Sequence, residues 1–292
     1  MITLKAKKIL VPYDFSPTAE NAFKHAAQIA GITKGEIILL NVQKKNDLVN
    51  FIMPALKIKN MQVINEFMQK HLTTEAVAMA KKYGVKVKPI FSAGKISDEI
   101  IKMSKKENAD LLVMGTQGGD SKNDFIMGSN TYRTLTKCEL PILTVRSKPA
   151  RKGYASILLP IDLSEHSRQK VSLAINIAKL NGGTIHILGL YSDKLEKGKL
   201  QIYVEQVAKY CEKSNIPYEK TIVESRERVE ATLEHALKVK ADLIVSMTDQ
   251  DAEFSTKLLS NYIHELINTS MIPVLCLMPE VNDEIGSSGS GL

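Results

Sequence analysis

A run of glycines carries the sharpest chemistry in this sequence. It reads Met114-Gly115, two residues, Gly118, nine residues, then Gly128-Ser129-Asn130. Glycine lets the backbone turn sharply and lets a ligand reach N–H groups with no Cβ in the way. Gly128-Ser129 precedes a helical pattern over residues 131–137. Open N–H groups at a helix start, with the positive end of its dipole, favour phosphate. Ser129 can cap that helix or donate its hydroxyl to a phosphate oxygen, and Lys122 adds positive charge to the intervening loop. The pattern is not a P-loop, which would end in Gly-Lys-Ser/Thr. Nor is it the dinucleotide fingerprint, because the first apolar run is followed by Pro12-Tyr13-Asp14 and not by glycines. Asp14 offers an acceptor for a base, a ribose or a metal. It reads equally well as a carboxylate that only favours a helix N-terminus.

Other chemistries find little support. No Ser/His/Asp order with a nucleophile elbow is present. Asp120 and Asp124 lie near the glycine loop and either position a metal or a water or are plain exposed loop residues. The expectation is binding without a dedicated catalytic group. His166, His186, His235 and His264 have no metal-ligand spacing. Cys138, Cys211 and Cys276 stand far apart, which argues against a disulfide framework or zinc site and suits a reducing, cytoplasmic setting. Nothing approaches the roughly 18 consecutive apolar residues of a membrane span, so no membrane partner is expected.

Charge is uneven along the 292 residues. Residues 1–148 hold 23 Lys+Arg against 13 Asp+Glu, whereas residues 149–292 hold 16 against 19. An anionic ligand is therefore expected in the first half, although a solvated basic surface gives the same numbers. The basic residues form no aromatic-interleaved stripe, so specific nucleic-acid binding is not expected.

The elements that must position the glycines occur twice. Lys8-Ile9-Leu10-Val11-Pro12-Tyr13-Asp14-Phe15-Ser16 returns 148 positions later as Ser156-Ile157-Leu158-Leu159-Pro160-Ile161-Asp162-Leu163-Ser164. Ala109-Asp110-Leu111-Leu112-Val113 returns after 132 positions as Ala241-Asp242-Leu243-Ile244-Val245. The second copy thus lacks about 16 residues, the difference between the two shifts, between its second and fourth runs. A unit of this size is a domain and not a solenoid repeat. The division is 1–148, 153–280 and a Gly/Ser tail over 281–292.

In the first copy, runs at 8–12, 36–42, 85–91, 110–115 and 141–145 are rich in Ile, Val and Leu, with little alternation. Such runs suit strands buried on both faces. Between them lie helical patterns; Ser16-Pro17 reads as one helix start and Gly31 as its stop. Strand–helix alternation implies two tandem doubly wound α/β domains. If strands one and four are neighbours, Asp14 and Gly115 face one crevice at the carboxyl ends of the strands. The extra segment of the first copy, residues 43–72 with Met53, Met61 and Met68, is either a lid or partner surface or a longer helix with ordinary core methionines.

Val11-Pro12-Tyr13-Asp14-Phe15-Ser16 and the glycine pattern, closed by Pro141-Ile142-Leu143-Thr144-Val145-Arg146, resemble the universal stress protein family over residues 5–280. The resemblance implies a Rossmann-like, adenine nucleotide alpha hydrolase-like domain, with a five-stranded parallel sheet of order 3-2-1-4-5. It also implies bound ATP, with or without Mg2+, and a stress-response regulator acting through an unidentified protein partner. Asp14 and the backbone of Val42 would then hold adenine, with Gly115 near the ribose and Met114 also among the binding residues. Gly118, Gly128, Ser129 and Asn130 would contact the phosphates, and Pro12 and Tyr13 would line the pocket. Tyr13 stands where the family usually has a small residue, so it either stacks on the base or narrows the pocket.

The second copy departs from the pattern. Met247, Gln250, Ser260 and Asn261 replace Gly115, Gly118, Gly128 and Ser129, and Asp249, Asp251 and Glu253 make the loop acidic. It is expected not to bind ATP. Relatives with one domain commonly pair through their last strands, so the two copies are expected to form a pseudo-dimer within the chain; a homodimer of whole chains is compatible with this.

Overall fold

The Ile/Val/Leu runs become strands covered on both faces. The computed structural model describes residues 6–116, 127–146, 153–164, 166–248 and 261–279. The first half runs β1 (Lys8–Pro12), α1 (Pro17–Thr33), β2 (Glu36–Gln43), α2 (Lys45–Asp47), a π-helical turn (Leu48–Ile52), α3 (Met53–Ala55), α4 (Met61–Tyr83), β3 (Lys86–Ala93), α5 (Ile96–Lys106), β4 (Leu111–Gly115), α6 (Ser129–Leu135) and β5 (Ile142–Val145). The second half runs β6 (Ser156–Ile161), α7 (Val171–Asn181), β7 (Thr184–Tyr191), a 3-10 turn (Lys194–Glu196), α8 (Lys197–Lys213), β8 (Tyr218–Glu224), α9 (Arg228–Lys238), β9 (Leu243–Met247), α10 (Asn261–Thr269) and β10 (Val274–Leu277).

All ten strands join one sheet, in the order β3-β2-β1-β4-β5-β10-β9-β6-β7-β8. Each half is parallel with the expected 3-2-1-4-5 order. The halves meet through the antiparallel pair β5–β10, with Leu143 opposite Leu275 and Thr144 opposite Val274. The Thr144 hydroxyl donates to the Val274 carbonyl at 3.0 Å. The expected pairing of the last strands is therefore present within one chain.

Alternate strand residues feed two apolar layers. Ile9, Val11, Ile37 and Leu39 pack with Phe23, Leu72 and Ala76 on the α1/α4 face. Leu10, Ile38, Leu40 and Leu112 pack with Ile100 and Leu135 on the α5/α6 face. The seam between the halves also has polar ties. His25 Nδ1 lies 2.7 Å from the Tyr154 hydroxyl, both buried. The Met127 N–H donates to Asn268 Oδ1 at 2.6 Å.

Helix α1 starts as expected: Ser16 Oγ accepts the Ala19 N–H at 3.1 Å, and Pro17 occupies the first helical turn. Its end differs from the expectation. Gly31 lies inside the helix, which runs to Thr33 and is closed by Lys34 in the left-handed region (φ 52°). The matching position of α7 is Gly182 (φ 59°). The helix stops where the chain must turn back into β2, and that geometry outweighs the local glycine signal. Immediately after, a Cβ on Gly35 would stand 2.6 Å from the Ala6 carbonyl oxygen.

The extra segment of the first half is largely helical, and its methionines divide between core and surface. It forms α2, the π-turn and α3, followed by the 23-residue α4. Met53 packs with Leu48 and Ile64 in a small core of its own, while Met61 is exposed. Among the described residues no helix is long and apolar enough to cross a membrane, and no cluster of three or more His, Cys, Asp or Glu could hold a metal.

Candidate functional site

β1 and β4 are neighbours, and their carboxyl ends open onto one cleft. The order of strands reverses there, because β2 follows on one side of β1 and β4 on the other. A cavity of about 120 Å³ is lined by Pro12, Tyr13, Asp14, Val42, Met114, Gly115, Gly128 and Asn130, with Leu40, Ile96, Ile100 and Thr131 among its further walls. Eight of the ten residues singled out from sequence thus meet in one place. Ser129 lies beside it at the first position of α6. Gly118 lies outside the described residues, as do Asp120, Lys122, Asp124 and, in the second half, residues 249–260. A larger groove, about 1110 Å³, lies elsewhere, between α4 and the β3 edge. The chemistry singled out from sequence is at the smaller cleft.

Two expectations about the glycine end are corrected. The N-cap of α6 is Gly128, not Ser129, and it makes no side-chain cap bond. The Gly128 N–H donates to the Thr116 carbonyl at 2.8 Å, so it is engaged within the loop. Thr116 itself is 3% exposed, and its hydroxyl has no hydrogen-bond partner among the described residues. An orphaned buried hydroxyl costs roughly 1–3 kcal/mol; Thr116 follows Gly115 but is not among the residues that line the cleft.

The β1–α1 loop is held in place by several contacts. Asn41 is buried and its Nδ2 donates to the Tyr13 carbonyl at 2.6 Å. Tyr13 N–H donates to the Leu40 carbonyl at 2.8 Å. Asp14 is exposed, and its Oδ1 accepts the Ser16 N–H at 3.0 Å. Phe15 occupies the left-handed region (φ 65°), an unfavourable conformation for a residue with a Cβ. Tyr13 turns toward α4. Its ring packs edge-on to Phe15 with centroids 5.1 Å apart, and its hydroxyl lies 3.4 Å from Glu75 Oε1. Burial first, and the Glu75 carboxylate second, push its phenol well above the ordinary tyrosine value. The tyrosine is therefore a strut between the loop and α4.

In the second half, larger side chains stand at the corresponding described positions. Asp162 is buried and accepts from Arg228, from the Ser164 N–H at 3.1 Å and from the Ser164 hydroxyl at 2.7 Å. Arg228 stands where α5 has Ile96, at the shift of 132. Its guanidinium lies 5.4 Å from the centre of the Tyr262 ring, and Tyr262 replaces Asn130. The Tyr262 hydroxyl is 3.0 Å from Thr232 Oγ1. Met247, in place of Gly115, is fully buried. Of these changes, only Met247 was singled out from sequence. Arg228 and Tyr262 were visible at the same shift, but an arginine or a tyrosine gains meaning there only when its neighbour in space is known.

A model of the family described as "Universal stress protein family" matches residues 5–146 and again 153–277. The chain belongs to the universal stress protein family. Similar proteins include universal stress protein MJ0577 of Methanocaldococcus jannaschii, 33% identical over 155 residues, or 49% of this chain and 96% of that protein. Universal stress protein MJ0531 of the same organism is 30% identical over 149 residues, 50% of this chain and 85% of that protein. The fold of the whole chain resembles the crystal structure of a universal stress protein from Archaeoglobus fulgidus. There the TM-score is 0.74 and the identity 21%, with 96% of this chain and 98% of that one covered. The tandem arrangement is thus shared along nearly its full length.

Proposed function

We propose that this universal stress protein binds ATP in the cleft of its first half alone. Occupancy would then alter contacts with a protein partner in a stress response. The observation that carries this reading is the contrast between the two halves. In the first, Asp14 borders a cavity walled by Leu40, Val42, Ile96 and Met114. In the second, Arg228, Met247 and Tyr262 stand at the corresponding positions and Asp162 is buried against the arginine.

The first-half residues fit the ligand. Apolar walls with a carboxylate at the rim suit a flat heterocycle carrying an exocyclic amine. A Cβ on Gly128 would stand 3.6 Å from the Thr116 carbonyl, so glycine there keeps the backbone approachable.

Calorimetric titration with ATP, with and without Mg2+, tests this reading. The expected stoichiometry is one nucleotide per chain, lost on Asp14→Ala. Two per chain, or none at millimolar ATP, would count against it.

A further inference from the structure

Helices α7 and α8 leave a groove of about 810 Å³ between them. Its floor is aliphatic, made by the buried Val171, Ile175 and Val207. One wall is a row from α7, Ser172 and Asn176; the other is a row from α8, Gln206, Tyr210 and Ser214. Each row steps by four residues, so its side chains share one helix face. A cation stands at either end of the α7 row, Arg168 before it and Lys179 after it. Among the described residues no carboxylate lines the groove. Helix α7 contains none at all. On α8, Glu205 pairs with Lys220, and Glu212 accepts from the Tyr218 hydroxyl at 2.6 Å, so both carboxylates engage β8.

Arg168 is held in place without an anion. Its guanidinium carbon lies 3.9 Å from the centre of the Tyr203 ring, and one terminal nitrogen donates to Gln206 Oε1. Its Nε is buried and has no hydrogen-bond partner among the described residues. A guanidinium fixed by a ring and an amide has already lost the rotamer freedom that binding an anion would otherwise remove. The first half is arranged differently. At the shifts of 148 and 132, Glu20 and Glu75 stand in place of Arg168 and Val207. Glu20 lies 3.2 Å from Lys24 and 3.9 Å from Lys82, and Glu75 lies 3.4 Å from the Tyr13 hydroxyl. The first half thus supplies carboxylates to its own cations, and the second does not.

We propose that the α7/α8 groove binds an extended acidic segment of another protein, one carboxylate at Arg168 and a second at Lys179. The two cations are eleven positions apart, roughly 16 Å along a helix. In an extended chain, residues four apart face the same way and lie about 13 Å from each other. The long side chains of arginine and lysine close the difference. Between the two ends, the amides and hydroxyls of both rows offer donors and acceptors to a peptide backbone. A small anion would satisfy one end and leave the rows unused. A nucleic-acid strand would call for a cation at successive phosphates. This contact does not depend on nucleotide, and its test is run without ATP.

The probe is the peptide Glu-Ser-Ala-Ser-Glu, acetylated and amidated, titrated into the isotopically labelled full chain and followed by nuclear magnetic resonance. Saturable shifts are expected at the amides of α7 and α8. Arg168→Ala should weaken binding at least tenfold and Lys179→Gln at least threefold, with melting temperatures unchanged. Lys179 is exposed, so its variant keeps the test sound even if Arg168→Ala lowers the melting temperature. The neutral peptide Gln-Ser-Ala-Ser-Gln should bind at least tenfold more weakly. The absence of shifts at millimolar peptide overturns the proposal, as do shifts confined to other elements, or equal binding by the neutral peptide or by the Lys179→Gln chain. Inorganic phosphate that gave the same shifts at lower concentration than the peptide would overturn it in favour of a small anion.

Discussion

Arg228 is bonded to Asp162 at the place where Ile96 lies near Asp14 in the other half. One position in each copy thus sets an apolar wall beside one carboxylate and a cation beside the other. The carboxylate is kept in both, but its company decides what it can meet. In the first half it stands at a rim exposed to solvent. In the second it is 6% exposed and held by a guanidinium and by Ser164.

The first prediction concerns that pair. Arg228→Ile leaves the buried Asp162 carboxylate without its cation, and unfolding in urea should show a loss of roughly 3 kcal/mol. Adding Asp162→Asn should recover most of it. Neither variant should gain ATP binding, because Met247 and Tyr262 still stand at the corresponding positions. A variant that combines Arg228→Ile, Met247→Gly and Tyr262→Asn with Gln250→Gly, Ser260→Gly and neutral residues at 249, 251 and 253 should gain a second nucleotide in calorimetry. If Arg228→Ile alone did so, the role given to Met247 and Tyr262 would be wrong.

Gly128 offers a way to separate binding from folding. Its backbone (φ −61°, ψ 144°) suits alanine, and among the described residues a Cβ there would meet the Thr116 oxygen alone, at 3.6 Å. Gly128→Ala should change stability by no more than about 1 kcal/mol. ATP affinity should nevertheless fall at least about tenfold, or ~1.4 kcal/mol. Unchanged affinity would place the phosphates away from this glycine.

His25 should make stability depend on pH. Burial pushes its imidazole down from 6.5 to about 4. The unfolded chain therefore takes up a proton near pH 6.5 that the folded chain refuses until about pH 4. The folded state keeps its full advantage above 6.5 and loses it as pH falls toward 4, by about 3 kcal/mol at most. Denaturation at pH 7 and pH 4.5 should show a smaller drop for His25→Gln than for the unmodified chain. Tyr154→Phe, which strips the His25 Nδ1 contact across the seam, should cost roughly 1–2 kcal/mol at pH 7.

Adjacent residues after α1 should respond in opposite directions. Lys34 holds a left-handed conformation that Gly182 adopts in the second half, so Lys34→Gly should stabilise by about 1 kcal/mol. Gly35→Ala would press a Cβ to 2.6 Å from the Ala6 carbonyl oxygen and should destabilise by roughly 1–3 kcal/mol. Thermal melts of the two variants would show whether the signs differ.

Much of this architecture follows from local pattern. Uninterrupted Ile/Val/Leu runs alternating with helical stripes leave few choices but strands buried on both faces. The same pattern written twice gives two parallel units, and the β-turn-helix signature of Ser16-Pro17 was correct. The glycine spacing and Asp14 were legible because turn chemistry and a strand's end depend on neighbours in the chain. Gly31 misled for the complementary reason: the end of α1 is set by how far the helix must run to return the chain into β2.

Tertiary structure decided the rest, because it depends on residues distant in sequence. The contact of Tyr13 with Glu75 spans 62 positions, and that of Arg228 with Asp162 spans 66. Each side chain's meaning lies in the charge or space it meets there. The composition of α4 hinted at no second apolar face until its buried side was fixed by packing on β2 and β3, which left Val63, Phe67 and Val77 pointing to water. A sequence determines which elements can bury themselves. Which side chains then confront each other is settled only when the sheet brings those elements side by side.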